Sequence, residues 1–155
     1  MTADTERRSG ARPVKESRHS ARIAALQMLY QWEVGRLSMH EVRQTFWTHT
    51  PDDVEPLSDE LKAFATALAD GVAGAVAQID PMIAEAAEHW RIERMNVMDR
   101  LILRLAIFEF EHQPDTPGKV IINEALELGR AFSGDQSVRF INGILDAIRR
   151  TLERE

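Results

Sequence analysis

The sequence predicts an all-α protein built from two packed sets of three helices, and three observations carry that expectation. Apolar residues recur at steps of three and four through nearly the whole chain, the spacing that places them on one face of a helix. No run alternates apolar and polar residues and no two-residue hairpin turn occurs, so nothing reads as a strand. Helix start and stop signals punctuate the chain: S-x-x-E at Ser38 to Glu41, Asn96 before an apolar run, and prolines at 114 and 117.

The first helix is expected from near Ser17 to near Gly35, with Ile23, Leu26, Tyr30, Val34 and Leu37 on its apolar stripe. A second starts at the Ser38 capping box and runs to about His49, before the polar TPDD stretch. From Ser58, the residues Leu61, Phe64, Leu68, Val72, Ala75 and Ile79 keep helical spacing through a long third helix. Gly71 and Gly74 sit inside it, each costing about 1 kcal/mol relative to Ala, which implies close approach of another helix. Pro81 predicts a kink or a restart, with Asp80 as the N-cap of a segment continuing to Trp90.

After a WRIER turn, Asn96 and Asp99 are placed to cap VMDRLILRLAIFEFE, whose apolar residues cover most of its circumference. It should be the central buried helix of the second half. A fifth helix turns Ile121, Ala125, Leu128 and Phe132 inward and Asn123, Glu124, Glu127 and Arg130 toward water. The last, from about Asp135 to Leu152, buries Val138, Ile141, Leu145, Ile148 and Leu152. The expected organisation is a flexible basic arm over 1–17 and a single all-α domain over 18–155, comprising helical subdomains over 18–90 and 91–155.

Charge is uneven. The chain carries a net −6, yet residues 7–22, RRSGARPVKESRHSAR, sum to +5 and residues 23–155 to −9. A basic head on an acidic body suits a polyanion, because neutralised phosphates release counterions. Zero cysteines exclude disulfides, thiolate metal sites and cysteine nucleophiles. The five histidines show no ligand spacing, so neither a metal nor any other cofactor is expected. No Gly-rich phosphate loop, G-x-S-x-G elbow or nucleophile with an adjacent base occurs, which argues against an enzyme. No apolar run approaches a membrane span and no signal peptide is visible, so a cytoplasmic protein is expected.

Binding leaves more trace than catalysis. On the last helix Phe140 points about 110° from the core direction at 100° per residue. Arg139 and Gln136 flank it on the wetter side. Two readings fit: a stacking aromatic beside a phosphate-binding cation, as in recognition of single-stranded RNA, or an aromatic covering a core edge beside an ordinary surface arginine. Tyr30 is in line with Leu26 and Val34, so its ring is partly buried and its hydroxyl end free. Trp32, Trp47 and Trp90 read as packing residues.

The ordered set SRHSARIAALQMLYQWE, W-R-I-E-R at Trp90 to Arg94, D-R-L-I-L-R-L-A-I-F-E-F at Asp99 to Phe110, I-N-E-A-L-E-L at Ile122 to Leu128 and F-I-N-G-I-L-D at Phe140 to Asp146 resembles the NusB family of transcription antitermination factors. The resemblance spans about Arg18 to Ile148. It implies two three-helix subdomains and a binding protein without catalysis that pairs with the ribosomal protein NusE, recognises boxA of nascent RNA, particularly from ribosomal RNA operons, and helps RNA polymerase resist termination.

Position by position, the resemblance implies RNA contact by Lys15, Arg18 and Arg22, with Arg7, Arg8 and Arg12 upstream. Tyr30 matches a family tyrosine at the junction of RNA and protein partner, and Phe140 an aromatic beside RNA, flanked by Arg139. Gln136 takes a loop position where an acidic residue is familiar. Asp99, with Arg100 beside it, matches a carboxylate on the NusE-facing surface. Asn142, Gly143, Arg104 and Glu109 are assigned structural roles instead. A homodimer through an apolar face is a further expectation. The alternative function is the NusB-like RNA-binding domain of a ribosomal RNA cytosine methyltransferase fragment, for whose catalytic domain the chain leaves no room; a third is an interaction scaffold without RNA contact.

Overall fold

The computed structural model describes residues 14–48, 56–88 and 91–155. These form six α-helices and, among the described residues, no strand: α1 Val14–Glu33, α2 Met39–Thr45, α3 Asp59–Ala86, α4 Val97–His112, α5 Gly118–Phe132 and α6 Asp135–Thr151. Short 3-10 turns follow α2 at Phe46–Thr48 and precede α4 at Ile92–Arg94. Residues 1–13 of the expected flexible arm lie outside the described residues, as do the side chains up to Ser17, Lys15 included, and Trp90; residues 14–17, expected in the arm, are the first turn of α1.

Local chemistry explains most helix starts. Ser38 and Glu41 close a reciprocal capping box on α2, at 3.1 and 3.0 Å. Ser58 accepts from the Leu61 amide at the head of α3, and Asn96 from the Met98 amide at the head of α4. Pro117 precedes α5, and Gly134 turns the chain into α6 at φ 133, where a side chain would be strained.

Helix α3 does not restart at Pro81. It runs unbroken through Pro81, which is exposed, so the carbonyl it leaves without an amide partner lies on the wet side. Asp80 is therefore no N-cap: its carboxylate accepts two 2.8 Å bonds from Arg104. Helix α2 ends at Thr45, short of the expected His49, and passes into a 3-10 turn.

One continuous buried cluster spans both sets of helices. Helix α4 is its centre, packing on α1 and α3 on one side and on α5 and α6 on the other. Leu101 to Ile107 are all buried, as the apolar circumference predicts. Gly71 confirms the close approach read from sequence, since a Cβ there would land inside the Phe108 ring of α4; Gly74 does not, since nothing lies within 4 Å. Arg154 closes the far end by donating to the carbonyls of Phe110, Gln113 and Thr116, each at 2.8 Å. Those three bonds fix the link between α4 and α5.

Candidate RNA-binding surface

The N-terminal turns of α1 divide their charges between the inside and the outside. Arg18 is exposed, its guanidinium 5.3 Å from the centroid of the Phe64 ring on α3. Arg22, one turn on, is only 2% exposed. Its Nε and Nη2 form a fork on the Glu109 carboxylate of α4 at 2.7–3.1 Å. Arg22, expected to meet RNA phosphate, is instead held inside the bundle by Glu109; Arg18 lies on nearly the same face of the helix, about 40° away, and stays out because, among the described residues, no counter-charge meets it there. Beside this pair, His19 Nδ1 lies 2.6 Å from Glu124 and 3.5 Å from Glu127 of α5. Glu124, expected on the wet side, is 3% exposed.

At the other end of α1, the first turn of α4 ties three elements together. Arg100 donates to Glu33 of α1 at 2.9 Å and to the Ile92 carbonyl of the 3-10 turn at 3.1 Å. Arg104 adds a 3.4 Å contact to Glu33 beside its fork on Asp80. Burial opposes the charge on Arg104, but the hydrogen bond and charge of Asp80, joined by Glu33, outweigh it and raise the pKa above its ordinary value. Asp99 is 7% exposed and accepts from Ser133 at 2.6 Å and Ser137 at 3.0 Å. It is not an outward carboxylate. It pins the α5–α6 turn and the head of α6.

Tyr30, one turn before Glu33, is 42% exposed, more open than its place on the apolar stripe implied. Val34 and Leu37 beyond it are also exposed, so the stripe of α1 outruns the core it covers. Phe132 at the end of α5 likewise faces out rather than in.

Helix α6 presents an open polar face. Gln136 and Arg139 are exposed, and Arg139 forms no ion pair among the described residues. Gln136 lies in the first turn of the helix rather than in a loop. Phe140 is half-buried and packs on the core cluster, the border position expected from the helical angle. Asn142 and Gly143 are exposed, and a Cβ on Gly143 would meet nothing within 4 Å. Packing within this chain therefore gives no reason for two weak helix formers there.

The NusB family model matches residues 19–150. The chain belongs to the NusB family. The NusB transcription antitermination protein of Koribacter versatilis is 45% identical over 139 residues, covering 90% of this chain and 92% of that protein. Thermotoga maritima NusB superposes with a TM-score of 0.74 at 30% identity, over 86% of this chain and 90% of its own. A crystal structure of the antitermination factors NusB and NusE in complex with double-stranded RNA matches in fold, with a TM-score of 0.75 at 21% identity over 88% and 98% of the two chains. Family membership sets the chain among antitermination factors and apart from enzymes.

Two features of this NusB-family surface escaped the sequence. Phe64 was read only as a core position, although its ring seats both Arg18 and Arg22. The His19 and Glu124 contact joins residues 105 apart, and no local spacing announces it.

Proposed function

We propose that this chain is an RNA-binding antitermination factor that acts with a NusE-type ribosomal protein on single-stranded boxA RNA of nascent transcripts, including those of ribosomal RNA operons. The observation that carries this reading is the outer face of α6, where the exposed Arg139 and the half-buried Phe140 flank the open Gly143 one turn on. A cation for phosphate and an aromatic edge for a base, on a face with room for a backbone to approach, is the chemistry that single strands require. Gln136 extends the same face. Arg18 supplies an outward cation on α1, with Lys15 upstream; Arg22 is left out because Glu109 holds it.

Tyr30, with Val34 and Leu37, offers the exposed apolar surface for NusE, and a homodimer would use it only while NusE is absent. Asp99 and Arg100 act here as positioning residues. The complex then loads onto RNA polymerase in the cytoplasm; among the described residues no helix is long and apolar enough to cross a membrane.

Titration of a boxA-like single strand against salt, with and without NusE, tests the reading. Replacing Arg18 or Arg139 with Gln should each reduce the salt slope by about 0.7 unit, the share of one single-strand phosphate contact. Phe140→Leu should weaken binding without changing the slope. Slopes equal to the unaltered protein's in both arginine variants would overturn the assignment.

A further inference from the structure

The geometry points to a divalent transition-metal site of zinc type formed by His19 of α1 with Glu124 and Glu127 of α5. The donor atoms of these three side chains lie within 4.8 Å of one another. Four-coordinate zinc with bonds near 2.1 Å holds its ligands about 3.4 Å apart. His19 and Glu127 already stand at 3.5 Å, and the 2.6 Å hydrogen bond to Glu124 needs only a small side-chain adjustment to admit an ion. One nitrogen and two carboxylates suit zinc and its first-row neighbours better than magnesium, which prefers oxygen alone and keeps its waters.

Charge balance favours the same conclusion. Arg22 is matched by its fork on Glu109 and approaches Glu124 only at 4.0 Å. Glu124 is consequently a buried carboxylate whose nearest group is an imidazole rather than a permanent cation. A divalent ion on His19 Nδ1, with the ring proton carried on Nε2, would give Glu124 a permanent counter-charge nearer than the Arg22 guanidinium at 4.0 Å. The side chain of Glu127 is 54% exposed, which leaves the remaining positions to water. An ion there would tie α1 to α5 immediately after the exposed Arg18.

The test uses the untagged full chain and zinc chloride alone, followed by calorimetry and by thermal unfolding, with magnesium chloride as the contrast. Zinc should bind at one equivalent and raise Tm, magnesium should not, and His19→Gln and Glu127→Gln should each weaken zinc binding by tenfold or more. Glu127→Gln keeps the fold because its side chain is exposed, and His40→Gln should bind as the unaltered protein does. In the cobalt-loaded protein, the ring protons of His19 should show paramagnetic shifts. Absence of zinc binding, equal affinity in the Glu127 variant, or loss only in the His40 variant would overturn the proposal.

Discussion

Arg22 of α1 grips Glu109 of α4 through three hydrogen bonds of 2.7–3.1 Å, and both side chains are nearly sealed from solvent. The pair fastens the first half of the chain to the second across 87 residues. Removing one partner strands the other's charge in the interior, so Arg22→Gln should cost about 3–5 kcal/mol in urea unfolding. The double change Arg22→Met with Glu109→Leu should recover part of that loss, because Glu109 is no longer stranded while Glu124 still loses the guanidinium 4.0 Å away. Arg18→Gln should leave stability within about 0.5 kcal/mol while reducing RNA affinity, a contrast that separates the two arginines of the SRHSAR segment.

Asp99 gives a second prediction. Its oxygens accept from Ser133 and Ser137, so Asp99→Ala leaves two hydroxyls without their acceptor and should cost about 1–3 kcal/mol. Hydrogen exchange should accelerate first in the α5–α6 turn and the head of α6, before the rest of the bundle. Asp99→Lys places a cation at a buried position and should destabilise the fold, so weaker partner capture by that variant would not identify a contact.

The two glycines of α3 should respond in opposite directions to the same substitution. Gly71→Ala must displace the Phe108 ring and should lose about 1–3 kcal/mol. At Gly74 the added methyl enters open space within a helix, and the gain in helix propensity should stabilise by up to about 1 kcal/mol. Parallel denaturation curves check both.

Asp146 sets a pH dependence whose sign follows from its neighbours. The hydrogen bond from Arg149 lowers its pKa below the ordinary 3.8, slight burial opposes this, and the charges of Arg150 and Arg149 add to the lowering. A depressed folded-state pKa contributes stability that is present above the unfolded value and fades as pH falls through the folded one. Asp146→Asn should therefore reduce the loss of stability on acidification below pH 3.8, measured as Tm against pH, and leave the profile near neutrality unchanged in shape. The effect should be small, since the pair is partly solvated.

How far the candidate site was legible depends on the range of the signal. The border position of Phe140 follows from a fixed rotation per residue, and the structure keeps it. Arg104 and Glu109 could be read as reaching across to other elements because their spacing does not pair them on one helix, and they reach Asp80 and Arg22. Spacing reads Glu124 toward water, and the resemblance gives Arg22 and Asp99 outward roles, yet all three side chains are buried. Each is a charged residue on a helix packed on more than one side, and residue type alone favours solvent for all three.

By itself the sequence determined the all-α class, the caps at Ser38 and Asn96, the central burial of α4 and the family, because each is written in short-range spacing or ordered motifs. Tertiary structure alone decided which charges serve the interior and which face solvent. Arg18 and Arg22 are the same residue type one turn apart over the same Phe64 ring, and only the placement of Glu109 on a neighbouring helix separates them. A charge can be buried only where a counter-charge from elsewhere in the chain meets it, and that meeting is set by packing across dozens of residues rather than by any local pattern.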